Sequence, residues 1–513
     1  MLSKVWTAAT LGIDAVRIVI EVDARGYAAQ PGFTLVGLPD LVVREALCRV
    51  RSALHNCGLH LPQRHITVNL SPADVRKEGS GFDLPIAIGI LHALEVLGEE
   101  HVAGRVFVGE LSLDGTLTPI RGTLSISAAL ARDEGVRELI VPAANANEAA
   151  AVERVRVIGA PHLPALLEHL LGETELAPAV SIPSPEPMND DADFAEVRGQ
   201  ALAKRALEVA AAGGHNVMMI GPPGSGKTML AKRLASILPR LSLDEAIVTT
   251  KIHSVAGTLP AGGGLILRRP FRAPHHTIST AGLVGGSTSP RPGEVSLAHH
   301  GVLFLDELPE FRRETLEVMR QPMEDGLVTI ARAARTVTFP SRFTLACALN
   351  PCPCGFFNDS RRACRCSPLQ ITRYLGKISG PLLDRIDLQV EVAALGADEI
   401  TSMEGGESSA SIRERVEAAR LIQRERFRRA HINANAEMTA RHLRRFCDLS
   451  PPSRRLLLDA VERLGLSARA HDRILKVART IADLDGIEEI TSGHVAEAVQ
   501  YRALDRAYFR TVA

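Results

Sequence analysis

Neither sign of charge predominates in this sequence. Lys plus Arg and Asp plus Glu both number 59 among 513 residues, so bulk charge favours no class of partner. No apolar run approaches the length that spans a bilayer, which excludes a transmembrane helix. The stretch MLSKVWTAATLGIDAVRIVIEVD lacks a signal-peptide layout, because Asp14 and Arg17 interrupt its apolar part. A cytoplasmic location is therefore expected, with the eight cysteines reduced. Basic residues are missing between Gly172 and Val197, where seven acids fall. The opposite imbalance, sixteen Arg and one Lys against eight acids, lies between Ser411 and Thr480. Such a block is either an acid-seeking surface or a set of helix faces laced with ion pairs. The length implies two to four domains rather than one core.

What the chain does have is centred on VMMIGPPGSGKT, residues 217–228. Four apolar residues, Val217 to Ile220, read as a buried parallel strand, and KTMLAKRLASIL carries apolar residues at helical spacing. Between them stand Gly221, Pro222, Pro223, Gly224, Ser225, Gly226, Lys227 and Thr228, the phosphate-loop pattern in its required strand–loop–helix setting. Glycines let amide N–H groups close around phosphate oxygens, and the helix N-terminus adds its positive dipole end. Lys227 is expected at the outer phosphates, and the Thr228 hydroxyl on Mg²⁺. Downstream, GVLFLDE (301–307) reads as a second buried strand ending in two carboxylates. Asp306 is expected to hold the metal and Glu307 to polarise the attacking water. These residues predict a protein that binds and hydrolyses ATP.

Residues 1–172 alternate strand-like segments (AVRIVIEVD, HITVNL, VFVGEL, ELIVP) with helix-like ones, an α/β or α+β pattern with neither phosphate loop nor metal-ligand spacing. Residues 173–192, with four Pro, five acids and no basic residue, read as a solvated linker. The ATPase core occupies 193–400, its strands VMMI, VLFL and FTLACAL implying a parallel sheet with the ligand at the C-terminal strand ends. FTLACALN ends in Asn350, read as a water-orienting sensor of the γ-phosphate or, alternatively, as a capping residue. GPLLDRIDLQVEV carries Arg385, read as a cation supplied to a neighbouring subunit's γ-phosphate; the competing reading is an ion pair with Asp384 or Asp387. Cys352, Cys354, Cys364 and Cys366, spaced C-x-C and C-x₉-C-x-C in a reducing compartment, suit a closed thiolate Zn²⁺ site. A metal-free loop and redox chemistry are the alternatives. Residues 401–513 read as successive amphipathic helices.

Several segments carry a family resemblance. GFTLVGLPD, NLSPADVRKEGSGFDLPIAIGIL and VGELSLDGTLTPIRG resemble the domain shared by Lon proteases and the RadA recombination protein, with the fold of a ribosomal S5 second domain. Lon proteases use a Ser–Lys pair; here Ser80 is displaced, and Thr123-Leu124-Ser125 stands where the lysine should follow. The resemblance therefore implies ring building and DNA contact rather than peptidase activity. GPPGSGKT, RPFRAPHHTIS, GEVSLAHHGVLFLDELPEF, RQPMEDGLVTIARA, TFPSRFTLACALNPCPCG and SGPLLDRIDLQVEV resemble the magnesium-chelatase-type AAA+ ATPases, most closely the YifB/ComM group.

The resemblance implies a hexameric ring with ATP and Mg²⁺ as cofactors, and, by the ComM example, a helicase for DNA branch migration in natural transformation. It also implies two insertions. One carries Arg268, Arg269 and Arg272; the other, LVTIARAARTVTF, reads as a pore hairpin tipped by Arg332 and Arg335. Both sets are expected at the DNA phosphate backbone, an ordinary solvated hairpin being the alternative. The C-terminal helices take the part of an AAA+ lid, with Arg469 as the arginine that reaches back to the nucleotide and Arg473 as its rival. A chelatase- or chaperone-type remodeller is the second functional reading.

Overall fold

A computed structural model describes residues 2–24, 32–73, 77, 79–182, 192–260, 262–286, 290–332, 335–359, 361–394, 405–430, 432–504 and 508–509. The chain divides into two compact units. The first comprises Met1–Glu186, Ser242–Leu267 and Ala331–Phe339; the second comprises Pro187–Leu241, Arg268–Ile330 and Pro340–Ala513.

The first unit is built on seven strands: β1 (Leu2–Leu11), β2 (Asp14–Asp23), β3 (Gly32–Val36), β4 (His65–Ser71), β5 (Arg105–Phe107), β8 (Glu138–Pro142) and β9 (Arg156–Ala160). The short ribbon β6 (Glu110–Leu111) and β7 (Leu117–Thr118) stands apart from that sheet, whose order is β3-β4-β2-β1-β5-β8-β9. Alternation in HITVNLS buries Ile66, Val68 and Leu70 on one face, as a half-covered strand requires. The helix Asp83–Ala93, DLPIAIGILHA, is apolar nearly all round and buried along its whole length. Its first residue would be a lone buried anion but for Arg49, whose Nε and Nη2 donate to Asp83 at 2.7 and 2.9 Å. Burial still raises the Asp83 carboxyl above the usual range, against the pull of that guanidinium. Thr123 and Ser125 are buried in the helix Thr123–Leu130, where Thr123 donates to Glu148 at 3.1 Å.

One segment of this unit comes from between the two phosphate-site strands in sequence. The helix Leu243–Ala256 is opened by a capping box of Ser242 and Glu245 and closed by Gly257. Lys251 lies 3.5 Å from Asp14, Ser254 donates to Glu148, and Gly262 N donates to the Ala144 carbonyl at 3.1 Å.

In the second unit β10 (Val217–Ile220), β11 (Phe271–Arg272), β14 (Val302–Leu305), β17 (Thr344–Leu349) and β18 (Leu388–Glu391) form a wholly parallel sheet, in the order β11-β14-β17-β10-β18. The runs VMMI and VLFL are buried at every residue because helices cover both faces. A ribbon of β12 (Gly285–Gly286) and β13 (Arg291–Pro292) is a short addition, while the hairpin of β15 (Leu327–Arg332) and β16 (Arg335–Pro340) falls partly within the residues of the first unit. The C-terminal part is helical: Ser409–Arg426, Ala440–Phe446, Pro451–Leu464, Ala468–Leu484 and Ser492–Gln500, with Ser408, Ser450, Ser467 and Thr491 as N-caps. The mixed α/β architecture with a parallel sheet and a helical C-terminal region agrees with the expected fold class. Among the described residues, no helix is long and apolar enough to cross a membrane.

Candidate nucleotide site

The parallel registers align the tips of β10, β14 and β17, so the loops after Ile220, Leu305 and Leu349 open on one edge of the sheet. Gly226 caps the helix Lys227–Leu234 at φ +91°, a left-handed conformation that a side chain would strain. Lys227 then turns back over the loop: its Nζ donates to the Gly221 and Pro222 carbonyls at 2.8 and 2.9 Å. The same ammonium lies 3.2 Å from Asn350 Oδ1 and 3.5 Å from Ser225 Oγ. Thr228 Oγ1 donates to Asp306 Oδ2 at 2.6 Å. Asp306 Oδ1 accepts the Glu307 amide at 2.9 Å. Glu307 itself is held at φ +51°, an uncommon conformation for a non-glycine residue, and is exposed.

Thus Lys227, Thr228, Asp306, Glu307 and Asn350, drawn from three strand ends, are brought together. Burial lowers the Lys227 pKa to about 8, although the carboxylates of Asp306 and Glu307 pull it the other way. An ammonium so desolvated, with carbonyls, a carboxamide and a hydroxyl as its partners, gains most from phosphate oxygens. The adjoining hydroxyl and carboxylate of Thr228 and Asp306 are hard oxygen donors of the kind Mg²⁺ takes. The donor set fits a Mg²⁺–nucleotide.

Matches to family profiles cover residues 193–400 (magnesium chelatase, subunit ChlI), 20–145 (subunit ChlI of Mg-chelatase) and 406–502 (magnesium chelatase, subunit ChlI C-terminal). The chain is 46% identical over 510 residues to competence protein ComM of Haemophilus influenzae, covering 98% of each. It is 44% identical over 510 residues to the uncharacterized protein YifB of Escherichia coli, again covering 98% of each. This chain belongs to the magnesium-chelatase-like YifB/ComM family. That family is one of AAA+-type ATPases, in keeping with the site just described. A shorter likeness, 40% identity over 73 residues (14% of the chain, 11% of the relative), joins it to an archaeal Lon protease of Methanothermobacter thermautotrophicus.

The remaining candidates are placed less uniformly. Arg385 is mostly buried; its guanidinium pairs with Glu324 and donates to the Pro381 carbonyl at 2.8 Å, so its partner is neither Asp384 nor Asp387. Arg469 is exposed at the start of the helix Ala468–Leu484. Its rival, Arg473, pairs with Asp387, which precedes β18 and so lies at the opposite end of the sheet from the phosphate loop.

Two of the arginines expected at DNA have partners within the chain. Arg269 donates to the Pro239 and His300 carbonyls, each at 2.8 Å, bracing two loops. Arg272 is engaged by both oxygens of Glu294, at 2.6 and 2.8 Å. For either guanidinium, a phosphate contact would require exchanging these carbonyl or carboxylate partners. Arg268 is half-buried, and the side chains of Arg332 and Arg335 lie outside the described residues. The Arg-rich C-terminal block likewise contributes struts: Arg426 and Arg479 converge on Asp483, and Arg415 bridges Glu208 and Glu407.

A further neighbour of the site was not picked out as one from the sequence. His276 Nδ1 stands 3.6 Å from Glu307 Oε2, its ring edge-on to Phe311 and packed on His275. The paired histidines of RAPHHTIS were the available signal, but nothing in their spacing pointed to Glu307.

Just past Asn350, the sulfurs of Cys352, Cys354, Cys364 and Cys366 all lie within 4.8 Å of one another. The separations Cys352–Cys354, Cys354–Cys364 and Cys352–Cys364 are 3.3, 3.6 and 3.7 Å. Four Zn–S bonds of about 2.3 Å in a tetrahedron put the sulfurs about 3.8 Å apart, close to the three separations above, so the cluster is compatible with a zinc ion. The Arg365 and Phe356 amides favour the Cys354 thiolate and draw its pKa to about 6, while burial pushes Cys352 up to about 12.

Proposed function

We propose that the protein is an ATP-hydrolysing motor that works on DNA as a ring of identical subunits, six by analogy with related rings, in the cytoplasm. The observation that carries the ATPase half is the convergence of Lys227, Thr228, Asp306, Glu307 and Asn350 on one edge of a parallel sheet. Bound there, Mg²⁺–ATP supplies a phosphoryl group for transfer to water. Lys227 and the loop amides would hold the phosphates, and Thr228 and Asp306 the metal. Glu307 would orient and deprotonate the water, with Asn350 positioning it against the terminal phosphate. Arg385 is assigned to the site of an adjoining subunit, and Arg469 to the helical lid, from which it would reach back to the nucleotide. For Arg385 this requires exchanging Glu324 for phosphate oxygens.

Support for DNA comes from the relative named competence protein ComM, similar over nearly its whole length. Arg268, Arg269, Arg272, Arg332 and Arg335 are the proposed backbone contacts, Arg269 and Arg272 by exchanging their present partners, and branch migration is the proposed task. The second reading, a remodeller of a protein or tetrapyrrole complex, rests on the chelatase profiles matched along the chain. The test is ATP turnover with single-stranded DNA, forked DNA, a porphyrin-binding partner or unfolded protein. Stimulation by DNA is the expected result. A flat response to every DNA structure together with tight binding to a protein partner favours the second reading.

A further inference from the structure

The cysteine loop and the phosphate loop touch. Gly355, next after Cys354, is buried at φ +86°, and a methyl group built on it would run into the Pro223 ring, meeting Cγ at 2.7 Å. The turn that presents Gly355 to Pro223 is closed by its own amide, which donates to the Cys352 carbonyl at 2.9 Å. Cys352 also follows Asn350 by two residues, and Asn350 accepts from Lys227. The cluster therefore borders the phosphate loop twice, at its proline and through its lysine. Beyond the cysteines, Phe357 stands edge-on to Tyr508 at 6.2 Å, and the Tyr508 hydroxyl donates to Glu391 at the tip of β18 at 3.1 Å. One fifteen-residue loop thus bears on the phosphate loop, the strand end carrying Asn350 and the tip of β18.

Four sulfurs this close repel as thiolates and leave their donors unused as thiols. A thiophilic divalent cation resolves both, releasing whichever thiol protons remain and cross-linking the two ends of the loop. We propose that Cys352, Cys354, Cys364 and Cys366 bind a zinc ion that holds the phosphate loop in its nucleotide-binding shape, so that zinc occupancy sets the affinity for ATP. This rests on the ATPase reading above. The metal acts as a positioning element, since four protein thiolates leave it no open coordination position.

The experiment measures zinc content and binding of a fluorescent ATP analogue on the full-length protein: as purified, after stripping with a thiol-competing chelator, and after zinc is restored. The expected result is one zinc per chain, at least a tenfold rise in Kd on stripping, and recovery on adding zinc back. Cobalt substitution should give the intense charge-transfer band of tetrahedral thiolate ligation. Gly355→Ala separates coupling from folding: it should keep its zinc and its far-ultraviolet circular dichroism, yet bind the analogue several-fold more weakly. A protein that takes up no zinc, or a stripped protein with native circular dichroism and unchanged Kd, overturns the proposal, as does unchanged affinity in Gly355→Ala. Zinc-loaded wild type that binds no nucleotide at all overturns the ATPase reading, and this inference with it.

Discussion

Strands β10 and β18 carry a charged cluster at each end, and the two clusters differ in kind. At the carboxyl end Lys227 leans on carbonyls and a carboxamide, and Glu307 projects into solvent from a strained backbone. At the amino end Asp387 is buried and surrounded. It pairs with Arg473, accepts the Asn216 amide at 3.0 Å and lies 3.5 Å from His215, whose other ring nitrogen meets Thr480 at 2.8 Å. Those charges hold the Asp387 carboxyl well below the usual carboxylate range, in spite of its burial. The charges of one cluster are paired within the chain; the other is the one proposed to take phosphate and metal. The lesson is that a buried, closed ion-pair set braces the sheet, whereas an open one beside a glycine loop marks where a ligand goes.

The largest expected effect is at the open end. Glu307→Gln should bind the ATP analogue as wild type does while turnover falls by about 10²–10⁴, the scale of losing a general base. Lys227→Ala should raise the analogue's Kd by about 100-fold or more, the scale of losing charge-assisted contacts to phosphate. Loss of binding in Glu307→Gln, or normal turnover in Lys227→Ala, would erase the distinction drawn above.

Next comes the closed end. Asp387→Ala should destabilise the protein by about 3–5 kcal/mol in chemical denaturation, the cost of orphaning Arg473 and the Asn216 amide. Analogue affinity of the folded fraction should change less than twofold. The folded-state pKa of Asp387 is depressed, so its contribution is complete above the unfolded value of about 3.9 and disappears as pH falls through the folded value. The stability gap between wild type and variant should therefore be constant from pH 5 to 8 and narrow only in acid.

A smaller effect separates the ends by pH. Lys227, with its pKa lowered to about 8, is half neutral at that pH in the free protein, and phosphate favours its ammonium form. Nucleotide binding should take up a proton there, so Kd should rise between pH 7.5 and 9.5 by up to about tenfold per unit. Calorimetry in two buffers of different ionisation enthalpy reads that proton directly. A Kd independent of pH over this range would mean that Lys227 keeps its charge unaided.

The contrast also accounts for what was legible in the sequence. Two kinds of feature came through: VMMI and VLFL as buried strands and Gly226 at the helix start, which local geometry dictates, and the convergence of Lys227, Asp306 and Asn350, which follows once their strands share a parallel sheet. Pairings between distant segments did not. That Arg385 meets Glu324, that Arg473 meets Asp387, and that Leu243–Ala256 packs on Asp14 and Glu148 depend on how the whole chain folds, and an isolated arginine carries no mark of its partner. Gly355 is an intermediate case: a glycine after C-x-C suggests a turn, but nothing local names Pro223.

Arginine use in the insertion after the phosphate-loop helix sharpens the comparison furthest with the smallest effect. Arg272 engages Glu294 with two donors, so it behaves like the closed cluster although it sits in a segment whose charge suggested DNA. If that pairing is its role, Arg272→Ala should cost about 1 kcal/mol of stability, as a partly exposed bidentate pair does. The dependence of log K on log salt for a forked duplex should then keep its slope within experimental error. A phosphate contact behaves oppositely: its loss lowers the slope by about one unit whatever the DNA sequence. Arg291, exposed in the same insertion, provides the comparison within a single assay. A slope that drops for Arg272→Ala as well would mean that Glu294 yields its arginine when DNA arrives, and that a closed ion pair here can open for a ligand.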